Sequence, residues 1–254
     1  MTVADTERGP APEVEPEAAG PAPLLVAEGV ARTFETAAGT VVALADAGAV
    51  VHPGELVVVK GPSGSGKTTL LNVLSGLDRP TSGRVVLDGV DLTTATEQQL
   101  VELRRRSTGF VFQSFGLVPV LSAAENVELP LRLLGVEAAE RDARVAALLE
   151  RVGLAEHARQ RPTELSGGQQ QRVGIARALA AQPRILFADE PTGQLDSGTG
   201  RAIMDLLVEL VHGQGIAAVV TTHDPQLMAR ADRVLELHDG RLSGGGRRRG
   251  RHAL

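Results

Sequence analysis

The chain has 254 residues, 43% of them hydrophobic and 22% charged, with a formal charge of −5 at pH 7. That length suits one large α/β domain or two small ones and buries a core without covalent staples. The absence of cysteine excludes disulfides, iron–sulfur clusters and thiol chemistry.

Residues 1–23 read as a disordered acidic, Pro-rich tail, with Asp5, Glu7, Glu13, Glu15 and Glu17 among Ala and Pro. So little apolar surface does not offset the entropy of ordering. Beyond it, strands alternate with helices and no internal repeat appears. The apolar runs 24–30, 41–44, 56–59 and 85–87 predict short strands. Those at 110–112, 185–188, 217–221 and 234–237 predict strands of a sheet covered on both faces. A helix is expected over 100–106, with Thr94 and Glu97 as its capping box, and Ser122 with Glu125 repeats that signal. Val145, Leu148, Leu149 and Val152 fall at helical spacing. The stretch from about 95 to 178 holds most of the helix signal and predicts a lobe inserted into the sheet domain. Residues 241–254 carry five Arg and no acid and read as an Arg-rich tail. Such a tail fits a solvated segment or contact with anionic lipid headgroups.

Of the basic residues, 24 are Arg and only Lys60 and Lys67 are Lys. Lys67 stands in Gly61-Pro62-Ser63-Gly64-Ser65-Gly66-Lys67-Thr68, which fits the P-loop pattern. The loop follows the run 56–59 and opens a predicted helix over 69–75, the context the pattern requires. Glycines let consecutive N–H groups converge on an anion, and the helix start adds partial positive charge. A compact ammonium on a flexible stem suits a tight phosphate cradle better than a guanidinium fork. Lys67 is expected to reach the β- and γ-phosphates and Thr68 to ligate Mg²⁺. No Asn-Lys-x-Asp segment is present to read guanine.

Ile185-Leu186-Phe187-Ala188-Asp189-Glu190 is an apolar strand ending in two carboxylates and resembles a Walker B strand. Asp189 would then hold Mg²⁺, and Glu190 would point at the attacking water. The same two acids could instead cap the turn Pro191-Thr192-Gly193.

About 100 residues after the P-loop, Leu165-Ser166-Gly167-Gly168-Gln169 offers a second set of closely approaching amides at a helix start. LSGGQ resembles the signature of ABC-type ATPases, and the resemblance covers about residues 24–240. It implies an α/β P-loop NTPase fold of ABC ATPase type: a RecA-like core with an antiparallel β subdomain and an inserted helical lobe. It implies ATP and Mg²⁺ as cofactors, with Gly61 to Thr68 and Thr69 binding nucleotide. Ser166, Gly167, Gly168 and Gln169 of one copy would close over the ATP of another, giving a head-to-tail dimer. Gln113 looks like the Q-loop glutamine, touching Mg²⁺ or the water, which makes Thr68, Gln113 and Asp189 the implied metal ligands. His223, in Thr221-Thr222-His223-Asp224, looks like the switch histidine that holds Glu190 and the water. Phe34 stands where the family often places an adenine-stacking Tyr.

Two features depart from the family pattern. Gln194 replaces the more usual Asn or Ser, beside an Asp196 that would hydrogen-bond across the dimer. Gly174 lies inside the signature helix, where it costs about 1 kcal/mol relative to Ala; close helix packing or slack for a moving lobe would account for it.

The segments 77–83, 109–115, 125–131 and 188–197 are similar to the lipoprotein-release and macrolide-export (LolD/MacB-like) group. The cell-division ATPase FtsE lies in the same neighbourhood. The resemblance implies a peripheral ATPase at the cytoplasmic face of the membrane, powering a separate permease. No apolar run nears the ~20 residues that span a bilayer, and no signal-peptide pattern is present. A mechanotransmission ATPase that moves no solute is the alternative. The acidic balance and the shortage of aromatics argue against a nucleic-acid partner.

Overall fold

The structure is a computed structural model and describes residues 22–37 and 39–244. Most of the acidic tail and the Arg cluster at 247–251 lie outside the described residues.

Two kinds of strand pattern build two sheets. β1 (Leu25–Thr36) and β2 (Gly39–Val51) form a long antiparallel hairpin. β3 (Leu56–Lys60) leaves that sheet and feeds the phosphate loop and α1 (Lys67–Leu74). β4 (Ser82–Leu87) then returns to pair with β1, and β5 (Val90–Asp91) turns back on β4. The first sheet has the order β2-β1-β4-β5 and is wholly antiparallel.

After α2 (Glu97–Arg106) come β6 (Thr108–Val111), α3 (Ala123–Leu133), α4 (Ala138–Arg151) and α5 (Gly167–Ala180). The chain continues through β7 (Ile185–Asp189), α6 (Ser197–Gln214), β8 (Ala217–Thr221), α7 (Pro225–Arg230), β9 (Arg233–His238) and β10 (Arg241–Gly244). The second sheet has the order β10-β9-β3-β8-β7-β6, parallel except for the β10 edge. The RecA-like core, antiparallel subdomain and helical insertion expected from the signature are therefore present.

β3 explains how the layers meet. Its run of apolar residues alternates between faces. Leu56 and Val58 pack with α3, α4, α5 and α6, whereas Val57 and Val59 pack with α1, α2 and the first sheet. The site follows from this arrangement. β3, β7 and β8 all end on the same edge, which is where parallel α/β sheets bind ligands.

Three expectations change. The lobe over 95–178 is interrupted, because β6 pairs with β7 inside the sheet and α2 buries Leu100 and Leu103 on its other face. The α2 cap is Thr96 with Gln99 rather than Thr94 with Glu97. A turn around Asp91 engages Thr93 and Thr94 first, so the cap falls two residues later, at Thr96. The Arg-rich tail does not begin at 241, since Arg241–Gly244 forms β10 and Leu242 packs on the core. Asp239 and Gly240, at φ 47° and 72°, make the tight turn that returns it.

Candidate functional site

Gly66 ends the phosphate loop with φ 99° and caps α1, a conformation only glycine takes without strain. A Cβ there would also collide with the Ala43 carbonyl of β2. Pro62, Ser63 and Gly64 form the exposed tip of the loop, while Gly61, Ser65 and Lys67 are buried. The amides of Gly64, Gly66, Lys67, Thr68 and Thr69 have no acceptor among the described residues. Ser65 Oγ is buried and also lacks a partner. The Lys67 ammonium donates to the carbonyls of Gly61 at 2.9 Å and Pro62 at 3.1 Å. This cluster of free donors is what an anionic polyphosphate requires.

The acids stand beside it. Thr68 Oγ1 donates to Asp189 Oδ2 at 2.7 Å, which joins the start of α1 to the end of β7. Glu190 Oε1 lies 3.4 Å from Lys67 Nζ and 3.3 Å from His223 Nε2. Asp189 and Glu190 thus face the loop and do not merely cap the following turn. Gln113 is exposed just after β6. A Cβ built on Gly193 would lie 3.1 Å from Gln113 Nε2 and 3.5 Å from Glu190 Oε2, so the two side chains converge over that glycine. Asp189 and Thr68 form a hard-oxygen pair of the kind Mg²⁺ takes together with phosphate oxygens. No group of three or more His, Cys, Asp or Glu that could hold a metal ion gathers among the described residues.

Phe34 is partly exposed opposite Val41 on the β1–β2 hairpin. One face of its ring is covered by the Arg32 guanidinium, 4.4 Å from the centroid. Asp78 fixes that guanidinium through two bonds of 2.8 and 3.0 Å. Sequence reasoning gave no sign of this brace.

Ser166 caps α5. Its hydroxyl accepts from Gln169 N, and Gln169 Oε1 accepts from Ser166 N, closing a capping box. The amides of Gly167 and Gly168 remain without an acceptor among the described residues. Gln169 Nε2 donates toward His157 Nε2 at 3.1 Å, which fixes the remaining arm of that amide. No hydrogen bond or ion pair among the described residues links 166–169 with the phosphate loop.

The family model described as ABC transporter matches residues 44–193. The chain belongs to the ABC transporter family. It is 48% identical over 221 residues to the macrolide export ATP-binding/permease protein MacB of Brucella melitensis, covering 87% of this chain and 34% of MacB. It is 48% identical over 202 residues to the ABC transporter ATP-binding protein YtrE of Bacillus subtilis, covering 80% of this chain and 87% of YtrE. The chain therefore spans about a third of the length of MacB. Among solved structures, the dimeric post-hydrolysis ATP-binding cassette MJ0796 bound to ADP and Pi aligns with a TM-score of 0.83 at 41% identity. That alignment covers 89% of this chain and 99% of the other.

In this ABC transporter family member, Asp196 and Gly174 have local explanations, and nothing in the structure explains Gln194. Asp196, expected to reach across a dimer, is the cap of α6, accepting from Gly198 N and Thr199 N at 3.0 Å each. The Thr199 side chain, then its amide, holds the Asp196 carboxyl below the usual range. Gln194 is exposed and makes no hydrogen bond among the described residues. Gly174 is buried, and a Cβ there would press on the Phe115 carbonyl at 3.3 Å. Close packing therefore accounts for a glycine inside this ABC transporter signature helix. None of the described helices is long and apolar enough to cross a membrane.

Proposed function

We propose that this chain is the ATP-hydrolysing subunit of an exporter-type ABC transporter, working as a head-to-tail dimer at the cytoplasmic face of the membrane beside a permease on a separate chain. The observation that carries the reading is the meeting of Lys67 and His223 on Glu190 Oε1 at the mouth of the phosphate loop.

The roles follow from chemistry. The free amides of Gly64, Gly66, Lys67, Thr68 and Thr69 bind the phosphate oxygens, and Lys67 turns its ammonium to them. Bound Mg²⁺ would neutralise phosphate charge, held by Thr68 and Asp189 with Gln113 alongside. Glu190 accepts the proton of the attacking water, and His223 keeps the carboxylate aimed. Phe34 offers its uncovered ring face to adenine. The free amides of Gly167 and Gly168, with the Ser166 hydroxyl, complete the γ-phosphate site of a second copy. Their lack of any bonded link to this chain's own loop supports that assignment, as does the dimeric MJ0796 cassette.

A groove of about 410 Å³ opens beside the segment following Gln113. Val101, Phe110, Phe112, Leu133, Arg105 and Arg177 are among the residues that line it. Such a mixed apolar and basic lining suits a permease segment, and Gln113 sits where docking would be felt. The names of MacB and of the syringafactin and pyoverdine export relatives support export as the direction.

Glu190→Gln keeps the cradle and removes the base. It is expected to bind ATP, cease turnover and run as an ATP-dependent dimer in light scattering. A monomer at saturating ATP would overturn the dimer reading.

A further inference from the structure

We infer that Thr221 is a positioning residue that sets both acids of the site, so that its hydroxyl governs turnover and leaves nucleotide binding alone. The inference rests on the roles proposed for Asp189 and Glu190. Thr221 closes β8 and is fully buried. Its Oγ1 donates to Asp189 Oδ1 at 2.6 Å. A hydroxyl has one proton to give, so it meets the Glu190 amide, 3.0 Å away, as an acceptor. The same amide lies 3.1 Å from the Thr221 carbonyl. One residue thus grips the side chain of one acid and the backbone of the next.

Glu190 requires that grip. Its φ is 40°, in the left-handed region that a residue with a Cβ occupies only when its surroundings over-determine it. That backbone turn carries its carboxylate to Lys67 and His223. Asp189 is held at both oxygens, by Thr221 on Oδ1 and by Thr68 on Oδ2. Thr68 has a second task at the phosphates. Thr221 has none, and it is the hold on Asp189 that remains when Thr68 turns away. A misplacement of about 1 Å at a reacting group can cost about 10²-fold in rate. Most binding contacts, by contrast, come from the loop amides and Lys67, which Thr221 does not touch.

Thr221→Val keeps shape and burial while deleting both hydroxyl bonds; Thr221→Ser restores them. In the full chain, Thr221→Val is expected to lower kcat about tenfold. KM for ATP and the calorimetric affinity for ATP stay within about twofold, and Thr221→Ser recovers most of kcat. Thr221→Ala repeats the test if the valine variant does not fold. An unchanged kcat in Thr221→Val would overturn the inference while Glu190→Gln is inactive beside it. So would a loss of ATP affinity equal to the loss of kcat, or a serine variant as slow as the valine. Parental turnover in Glu190→Gln would instead overturn the reading of Glu190, and this inference with it.

Discussion

Arg177 and Gly116 are joined by a hydrogen bond of 2.5 Å from the guanidinium Nη1 to the glycine carbonyl. The second arm, Nη2, reaches the Phe115 carbonyl at 3.3 Å. Burial pulls the Arg177 pKa down, yet a guanidinium stays charged, so the fork holds two carbonyls of one turn. Along α5, Gly167, Gln171, Gly174 and Arg177 recur at helical spacing and face 112–116. Gln171 Nε2 points to the Phe112 carbonyl at 3.5 Å, and a Cβ on Gly167 would lie 3.5 Å from Phe115 Cζ. The segment that follows Gln113 is thereby fastened to the helix that Ser166 caps.

That fastening predicts an uncoupled variant. Arg177→Ala should cost about 1–3 kcal/mol of folding stability, the scale of losing charged hydrogen bonds in a buried place. Its ATPase rate without permease should stay within about threefold of the parent. Stimulation by a reconstituted permease should fall severalfold more. Arg177→Lys should recover only part, because an ammonium cannot reproduce the fork. Urea unfolding and ATPase assays with and without permease measure both arms. Equal losses in the two assays would show a stability effect alone.

The edge where the site's side chains meet was legible because its residues are contiguous in the sequence. Glycines, Lys67 and Thr68 must be neighbours to form one cradle, and Asp189 and Glu190 must end one strand. What stayed hidden joins residues far apart in the chain: Thr221 with Asp189, Arg32 with Asp78, Arg177 with Gly116. Nothing in a hydrophobic period announces such pairs. β10 was missed for another reason. Arg-Leu-Ser-Gly is a weak strand pattern, and only the Asp239-Gly240 turn signal before it marked a hairpin. β6 was legible as a strand at 110–112, but the helix signal on both sides of it drew the lobe boundary too early; its pairing with β7 puts it in the sheet.

Within the lobe, Glu128 on α3 is nearly buried and pairs with Arg132 at 2.8 Å and with Arg141 of α4. Bonding by Arg132, then by Arg141, holds its carboxyl below the ordinary range. A carboxylate with a depressed folded pKa stabilises the fold above its unfolded pKa, about 4.3. That contribution is lost as pH falls through the folded value. Glu128→Gln should therefore destabilise the chain by about 1.5–3 kcal/mol at neutral pH. The gap between variant and parent should close progressively below about pH 4. Denaturant titrations at several pH values test this, and a gap that persists in acid would place the loss in packing.

Gly168 supports the last prediction. A Cβ on this residue would collide with Cγ2 of Thr199 in α6 and lie 3.7 Å from its Cβ. The signature turn is thus buttressed by α6, which follows β7 of the same chain. Gly168→Ala should lose about 1–3 kcal/mol through overpacking. Thr199→Ser removes the offending methyl and keeps the hydroxyl that lowers the Asp196 pKa. The pair Gly168→Ala, Thr199→Ser should therefore regain the parental melting temperature. Turnover behaves differently if the Gly168 amide serves the γ-phosphate of a second copy. A methyl there stands at the surface where the nucleotide must approach the backbone, and relief on the α6 side does not remove it. The double variant should stay at least tenfold slower than Thr199→Ser alone, with ATP-dependent dimer formation weakened in the Glu190→Gln background. Recovery of rate together with stability would assign Gly168 to internal packing and leave the interface role to Ser166 and Gly167.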